Sequence, residues 1–363
     1  MTSRGFRSAL LAFAVGTGAG YACALLHTPI PWMLGPLFSL AFLRVAGIDV
    51  GVPTPARYGG QWIIGTSLGL YFTPQVVREV AGLWYLLVAG AVFSVAVGYV
   101  SALVLARMAK LDRTTALFAS VPGGAAEMAV LGERFGARVD RVAAAQSLRI
   151  LIVVGIIPAA YTLLGVHGAD PYVQGAKSFA PAGFVLLMAA TALGGFVFQR
   201  LRVPNAFVLG SLAVAIPLTA TQVDLSAMPQ LASNTGQCLL GCALGSRFQR
   251  DFLEGAHRFV GAVLISVLLA MALSAVFGAG LAYATGLHPA TLVLGTAPGG
   301  IAEMCITAKV LQLGVPLVTA FHVSRVVVLL LTTAPLFAHV QRGWLADENG
   351  NAAGNSAGND EEK

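Results

Sequence analysis

Charge is what this chain has least of. Only 10% of its 363 residues are Asp, Glu, Lys or Arg, 57% are hydrophobic, and mean hydropathy is +0.79. Soluble domains carry roughly 25% charged residues, so an ordinary solvated globular domain is excluded. Histidine is scarce as well. His27, His167, His257, His288, His322 and His339 are scattered without paired ligand spacing, which argues against the His-rich copper or iron centre that oxygen chemistry uses. No metal site and no cofactor are expected. The four cysteines, Cys23, Cys238, Cys242 and Cys305, all lie in apolar stretches and read as small buried hydrophobes, not as disulfide partners or metal ligands. No Walker-type phosphate loop occurs, which argues against an ATPase acting alone. No segment is large and polar enough for a nucleic-acid-binding module, so the net charge of +6 reads as the basic loops of a membrane protein.

What the chain does have is long apolar runs. Those at 8–26, 82–106, 142–164, 181–198, 259–284 and 316–340 approach the ~20 residues a bilayer crossing needs. Shorter ones lie at 31–46, 59–73, 204–218 and 235–246. The fold class is an all-α polytopic membrane protein. Arg4 and Arg7 before the apolar run from Ser8 resemble a signal peptide, but no small-x-small cleavage site precedes a soluble domain, so a retained first helix is expected. The end, 343–363, is Asn/Gly-rich and acidic and reads as a disordered tail.

The strings SVPGGAAEM (120–128) and TAPGGIAEM (296–304) stand 176 positions apart. At the same offset Gly60-Gln61 matches Gly236-Gln237, Leu68-Gly69 matches Leu244-Gly245, Gln146 matches His322 and Arg149 matches Arg325. PWMLG (31–35) faces PNAFVLG (204–210) with a two-residue slip. The chain therefore reads as one unit written twice: a first membrane repeat at 1–165, a linker at 166–180 and a second membrane repeat at 181–342. Each half carries a PGG segment (114–131 and 290–306) whose proline and paired glycines break a helix. Such backbone at membrane depth is tolerated only inside protein or beside a watery cavity.

Positive charge discriminates between two topologies. If both PGG segments cross the membrane, Lys and Arg divide evenly between the two sides. If each enters and returns on the same side, only Arg78, Lys177 and Lys309 of the 22 Lys and Arg fall outside. Arg149 and Arg325 then lie within spans and the remaining seventeen fall inside. The expected architecture is thus about ten transmembrane helices plus two reentrant loops in two inverted-topology repeats. This arrangement is typical of secondary transporters. Both termini are expected in the cytoplasm of a bacterium, with the chain in its inner membrane.

Gly123, Gly124, Gly299 and Gly300 permit tight turns, and a helix starting just after them aims free N–H groups at an anion. A purely structural kink is the alternative. Glu127 and Glu303 are ionisable residues at membrane depth, with Arg149 and Arg325 on the following spans as natural partners. Either each pair is static, or the arginines bind a substrate anion while the glutamates take a proton or cation. His322, at the position of Gln146, is either a proton carrier or a hydrogen-bonding residue. Gln61 and Gln237 are polar residues suited to the same cavity; Asn205 and Trp32 rank below them.

The strings Pro31–Leu37, Pro122–Met128 and Pro298–Met304 resemble the AbrB family of bacterial membrane proteins, and the likeness covers nearly the whole chain except the tail. The resemblance implies a duplicated membrane domain and carries two functional labels, a regulator of gene expression and an ammonia monooxygenase. The residues favour neither an enzyme nor a DNA-binding regulator. They favour a secondary transporter of a small organic anion, with an indirect effect on gene expression as the alternative. Expected partners are the lipid bilayer and a small-molecule or ion substrate, with no nucleic acid; a homodimer is compatible with all of this.

Overall fold

A computed structural model of the chain describes residues 3–168, 178–248, 257–329 and 331–332. Its described residues form helices without strands: α1 (Ser3–Leu25), α2 (Pro31–Val45), α3 (Thr54–Gly69), α4 (Pro74–Gly82), α5 (Trp84–Ala109), α6 (Arg113–Ser120), α7 (Ala125–Arg134), α8 (Val139–Leu163), α9 (Pro181–Arg200), α10 (Ala206–Ala220), α11 (Gln230–Gly245), α12 (His257–Thr285), α13 (Pro289–Thr296) and α14 (Ile301–Val310). A further apolar helix, α15, covers Val315–Leu329. By length and composition α1, α5, α8, α9 and α12 each suffice to cross a membrane, and α2, α10 and α15 are shorter apolar helices. Large side chains such as Leu26, Leu163 and Tyr283 stay exposed on the outside, as a lipid-facing surface requires. The acidic tail and most of the 166–180 linker lie outside the described residues.

Helix boundaries recur at the spacing seen in the motifs. The limits of α3, α6 and α7 are repeated 176 residues later by α11, α13 and α14. Backbone geometry recurs too. Left-handed residues appear in matched pairs, Lys110 with Gly286 and Gly136 with Gln312 at that offset, and His27 with Arg202, Ile30 with Asn205 and Gly47 with Gln222 at an offset of 175. The slip between PWMLG and PNAFVLG is therefore one residue, not two. Gly35 corresponds to Gly210, and both do the same work. A Cβ on Gly35 would stand 2.5 Å from the Ala19 carbonyl, and one on Gly210 would overlap that of Gly194. At both positions only glycine lets two helix backbones touch.

Contacts give the relative directions. Ser266 Oγ donates to the Ser101 carbonyl at 3.1 Å and Phe93 stacks on Phe277, so α5 and its counterpart α12 run antiparallel. Gly59 borders Leu239 while Ile64 borders Gly236, so α3 and α11 cross antiparallel as well. By contrast, Gly241 and Gly245 of α11 meet Met33 and Leu37 of α2, and Gly65 and Gly69 of α3 meet Val208 and Ala215 of α10. Those pairs are parallel, and each joins one half to the other. The largest core cluster accordingly draws on both halves, from Met33 and Leu68 to Leu212 and Met304.

Helix α4 has no counterpart among the apolar runs read from sequence, which leave 74–81 as the connection between 59–73 and 82–106. Its signals are local. Thr73 caps Val76 N–H, Pro74 opens the helix, and Val76 and Val80, one turn apart, are buried while Gln75 and Glu79 pair on the outer face.

Candidate functional site

Each PGG string lies between two short helices that double back. In the first half α6 ends at Ser120, Val121 is extended as the residue before a proline must be, and α7 begins after Gly124. The hairpin closes where Arg138 N–H donates to Thr115 Oγ1 at 2.8 Å, so its two ends meet on one side. In the second half α13, Ala297 and α14 repeat the arrangement, and Gly314 N–H reaches Thr291 Oγ1 at 3.3 Å. The methionine ending each string has a packing role. Met128 lies over Gly123 and Met304 over Gly299, each close enough that a Cβ on the glycine would intrude. This resembles a hydrophobic staple, with glycine as its inner half.

Breaking a helix leaves carbonyls without partners. Here α8 and α15 supply the donors. Gln146 Nε2 donates to the carbonyls of Phe118 and Val121 at 2.8 and 2.9 Å. Arg149, one turn later, donates to Val121 and Gly123 at 3.0 and 3.3 Å. In the second half a His322 ring nitrogen lies 3.2 Å from the Leu294 carbonyl, while Arg325 donates to Ala297 at 2.8 Å and to Gly299. Both arginines are buried, at 6% and 4% exposure. Of the two expected Glu–Arg pairs, Glu303–Arg325 is not what holds its arginine, since among the described residues neither arginine has a carboxylate within 4 Å; the side chain of Glu127, the expected partner of Arg149, lies outside the described residues. The physical reason is the break itself, whose carbonyls converge on each guanidinium. Its fork of donors suits several acceptors at once.

The two breaks face a common cavity. It is lined by Arg57, Gln61, Gly123, Gly124, Arg149, Asn205, Arg247, Gly300 and Glu303, with Ile150, Val208, Leu240, Leu244, Ile301 and Ala302 forming apolar walls. Its volume is about 70 Å³ in a measure where one water needs roughly 10–15 Å³. Neither α7 nor α14 has a side-chain cap from its N-cap glycine, and Gly124, Gly300, Ile301 and Ala302 at their starts border this space, while the Glu303 carboxylate accepts from its own N–H. The Glu303 carboxylate folds back over Gly300, where a Cβ would collide with Oε2. Arg247, Arg149 and Arg325 are the cations acting on it. Gln61 Nε2 donates to Asn205 Oδ1 at 3.3 Å, joining the halves across the cavity. A second, smaller chamber of about 20 Å³ lies behind the breaks, between α5 and α12, and shares Arg149 with the first.

Of the residues singled out in the sequence, Gln61, Gly123, Gly124, Arg149, Gly300 and Glu303 come together here. Their repeat counterparts Gln237, Gly299 and Arg325 are buried elsewhere and do not line this cavity, nor does His322. The side chain of Glu127 lies outside the described residues. Trp32 packs against Gly20 of α1. Sequence reasoning passed over Arg57 and Arg247, which had been counted only as loop charges. Their distances from the repeated glutamines and glycines, Arg57 one turn before Gln61 and Arg247 just past Leu244-Gly245, were the available signal.

Apolar helices around a charged cavity at paired helix breaks define a helical membrane protein. The chain matches the family described as transition state regulatory protein AbrB over residues 32–341, and it belongs to that family. It is 28% identical to the uncharacterized protein YhjN of Bacillus subtilis (strain 168), over 95% of this chain and 96% of that protein. It is 25% identical to a protein of Escherichia coli (strain K12) whose name proposes it as a regulator, AbrB, over 84% of this chain and 88% of the relative.

Proposed function

We propose that the protein is a secondary transporter of a small organic anion, working by alternating access around the two PGG breaks. On this reading there are ten spans in two inverted repeats, and α6–α7 and α13–α14 are reentrant hairpins entering from opposite faces. The N-terminus is cytoplasmic and the membrane is the bacterial inner one. The observation that carries the proposal is the cavity itself. Three arginines, one carboxylate and the first residues of two broken helices border one polar space between residues of the two halves. Helix N-termini and arginines suit an anion, and the apolar wall suits a short carbon skeleton. Glu303 is the candidate for taking the coupling proton or cation, because a second negative charge in so small a space needs neutralising. The antiparallel pairing of α3 with α11 and of α5 with α12 supports the inversion.

The test is uptake of candidate organic acids into vesicles. Arg149→Gln and Glu303→Gln should each cut transport of an accepted substrate by at least tenfold, and unchanged transport by both variants rejects this site. The Escherichia coli relative's name as a proposed regulator fits an indirect reading, in which moving a metabolite changes its level and gene expression responds.

A further inference from the structure

The two hairpins are built alike but sit differently. Along α14 every residue from Ile301 to Ala308 is buried, and Lys309 Nζ reaches Ser67 Oγ on α3 at 3.2 Å and Ser233 Oγ on α11 at 3.4 Å. Lys309 thus ties the C-terminal end of α14 to both crossing helices. On α7 the equivalent position, 176 residues earlier, is Glu133, and it is exposed, as are its neighbours Val130 and Arg134. The equivalent of Ser233 is Arg57, which lines the cavity with its guanidinium over the Tyr58 ring and its Nε without a hydrogen-bond partner among the described residues. One end of the site is latched and the other is not.

We infer that Glu133 and Arg57 are the second latch, closing in the state where the cavity opens to the other face. The inference rests on the alternating-access reading above. Where two inverted halves exchange conformations, each contact of one half is made by the equivalent residues of the other. Lys309–Ser233, present here, maps onto Glu133–Arg57. The exchanged pair is a cation and a carboxylate at a position where the observed pair is a cation and a hydroxyl. The second partner of Lys309, Ser67, maps onto Ala243, so Arg57 is the polar group left to receive Glu133. The arrangement makes the closed forms differ in kind. The α14 side is held by an ammonium bonded to two hydroxyls, and the α7 side by an ion pair, which salt weakens.

The experiment measures labelling of Gln61→Cys, at the cavity wall, by a membrane-impermeant maleimide added to either face of oriented vesicles. The chain without Gln61→Cys serves as the background control for the native cysteines, three of which are buried. Lys309→Ala releases the present latch. Labelling from the face bearing Arg57 should fall about tenfold or more, the equilibrium shift that losing an ammonium's hydrogen bonds to two buried hydroxyls supports, and labelling from the opposite face should rise. Adding Glu133→Lys to Lys309→Ala should restore the original labelling, because two cations then oppose closure. Adding Arg57→Glu as well, which recreates an opposite-charge pair, should lower it again. If Glu133→Lys leaves the Lys309→Ala labelling unchanged while the cavity is still reached from both faces, the latch is wrong and alternating access stands. If no variant is ever labelled from the face opposite Arg57, the transport reading fails and takes the latch with it. Glu133 is exposed, so its replacement does not disturb a packed core.

Discussion

Removing the two arginine clamps should not cost the same, although the residues are repeat equivalents. The carbonyl of Val121 receives three donors: Gly123 N–H at 2.8 Å, Gln146 and Arg149. Arg149→Met therefore strips its partner only from Gly123. In the second half His322 meets Leu294 alone, so Arg325→Met strips both Ala297 and Gly299 of their side-chain donor. An orphaned buried carbonyl costs about 1–3 kcal/mol. Both variants also shed the burden of burying a guanidinium, which is common to the two and largely cancels in their difference. Arg325→Met should accordingly be less stable than Arg149→Met by about 1–3 kcal/mol, one extra orphan carbonyl. The assay is reversible unfolding in mixed micelles of both variants side by side. Adding Gln146→Leu to Arg149→Met should erase much of the gap, because the Phe118 carbonyl then loses its donor as well, while Val121 still keeps the Gly123 N–H. Equal stabilities, or Arg149→Met as the weaker protein, would refute the view that the clamps exist to satisfy the breaks.

Gly300→Ala should separate function from stability. The atoms nearest its Cβ are all at the movable end of Glu303, so unfolding should shift by less than about 1 kcal/mol while transport is lost with the displaced carboxylate. Gly35→Ala is the opposite case, since its Cβ faces the backbone of Ala19 and Gly20. Overpacking of this kind costs about 1–3 kcal/mol and should appear as a lower unfolding temperature, with residual transport per folded molecule intact. Arg57→Gln and Arg247→Gln should weaken substrate capture most at low ionic strength, and the difference from the parent should shrink as salt screens the cavity mouth. A salt-independent difference would count against an electrostatic role.

Much of the frame was legible because membrane depth leaves few choices. A proline with two glycines in an apolar run must break a helix, and a break must be enclosed, so 120–128 and 296–304 marked the two breaks that the fold shows. Matching Gln146 with His322 and Arg149 with Arg325 placed the donors on the right helices. What Arg325 donates to was not legible. Sequence shows Glu303 as its obvious counter-charge, whereas backbone carbonyls, present at every residue, leave no trace in the letters. Arg57 and Arg247 were overlooked for a related reason. A cation near a helix end looks the same whether it faces solvent or turns into a cavity. Helix α4 was lost because nine residues with two buried valines are too short to register beside a long apolar run.

The sequence by itself determined the membrane-like composition, the family and the two breakpoints in their matching strings, since each follows from residue type and spacing along the chain. Only the tertiary structure decided that the halves interlock, with α2 on α11 and α3 on α10, and that the two equivalent hairpins occupy unequal positions. Two copies of nearly one pattern cannot encode a difference in their own poses. That difference arises when both fold against each other, and Lys309, bonded to Ser67 and Ser233 while Glu133 stays exposed, is where it becomes visible.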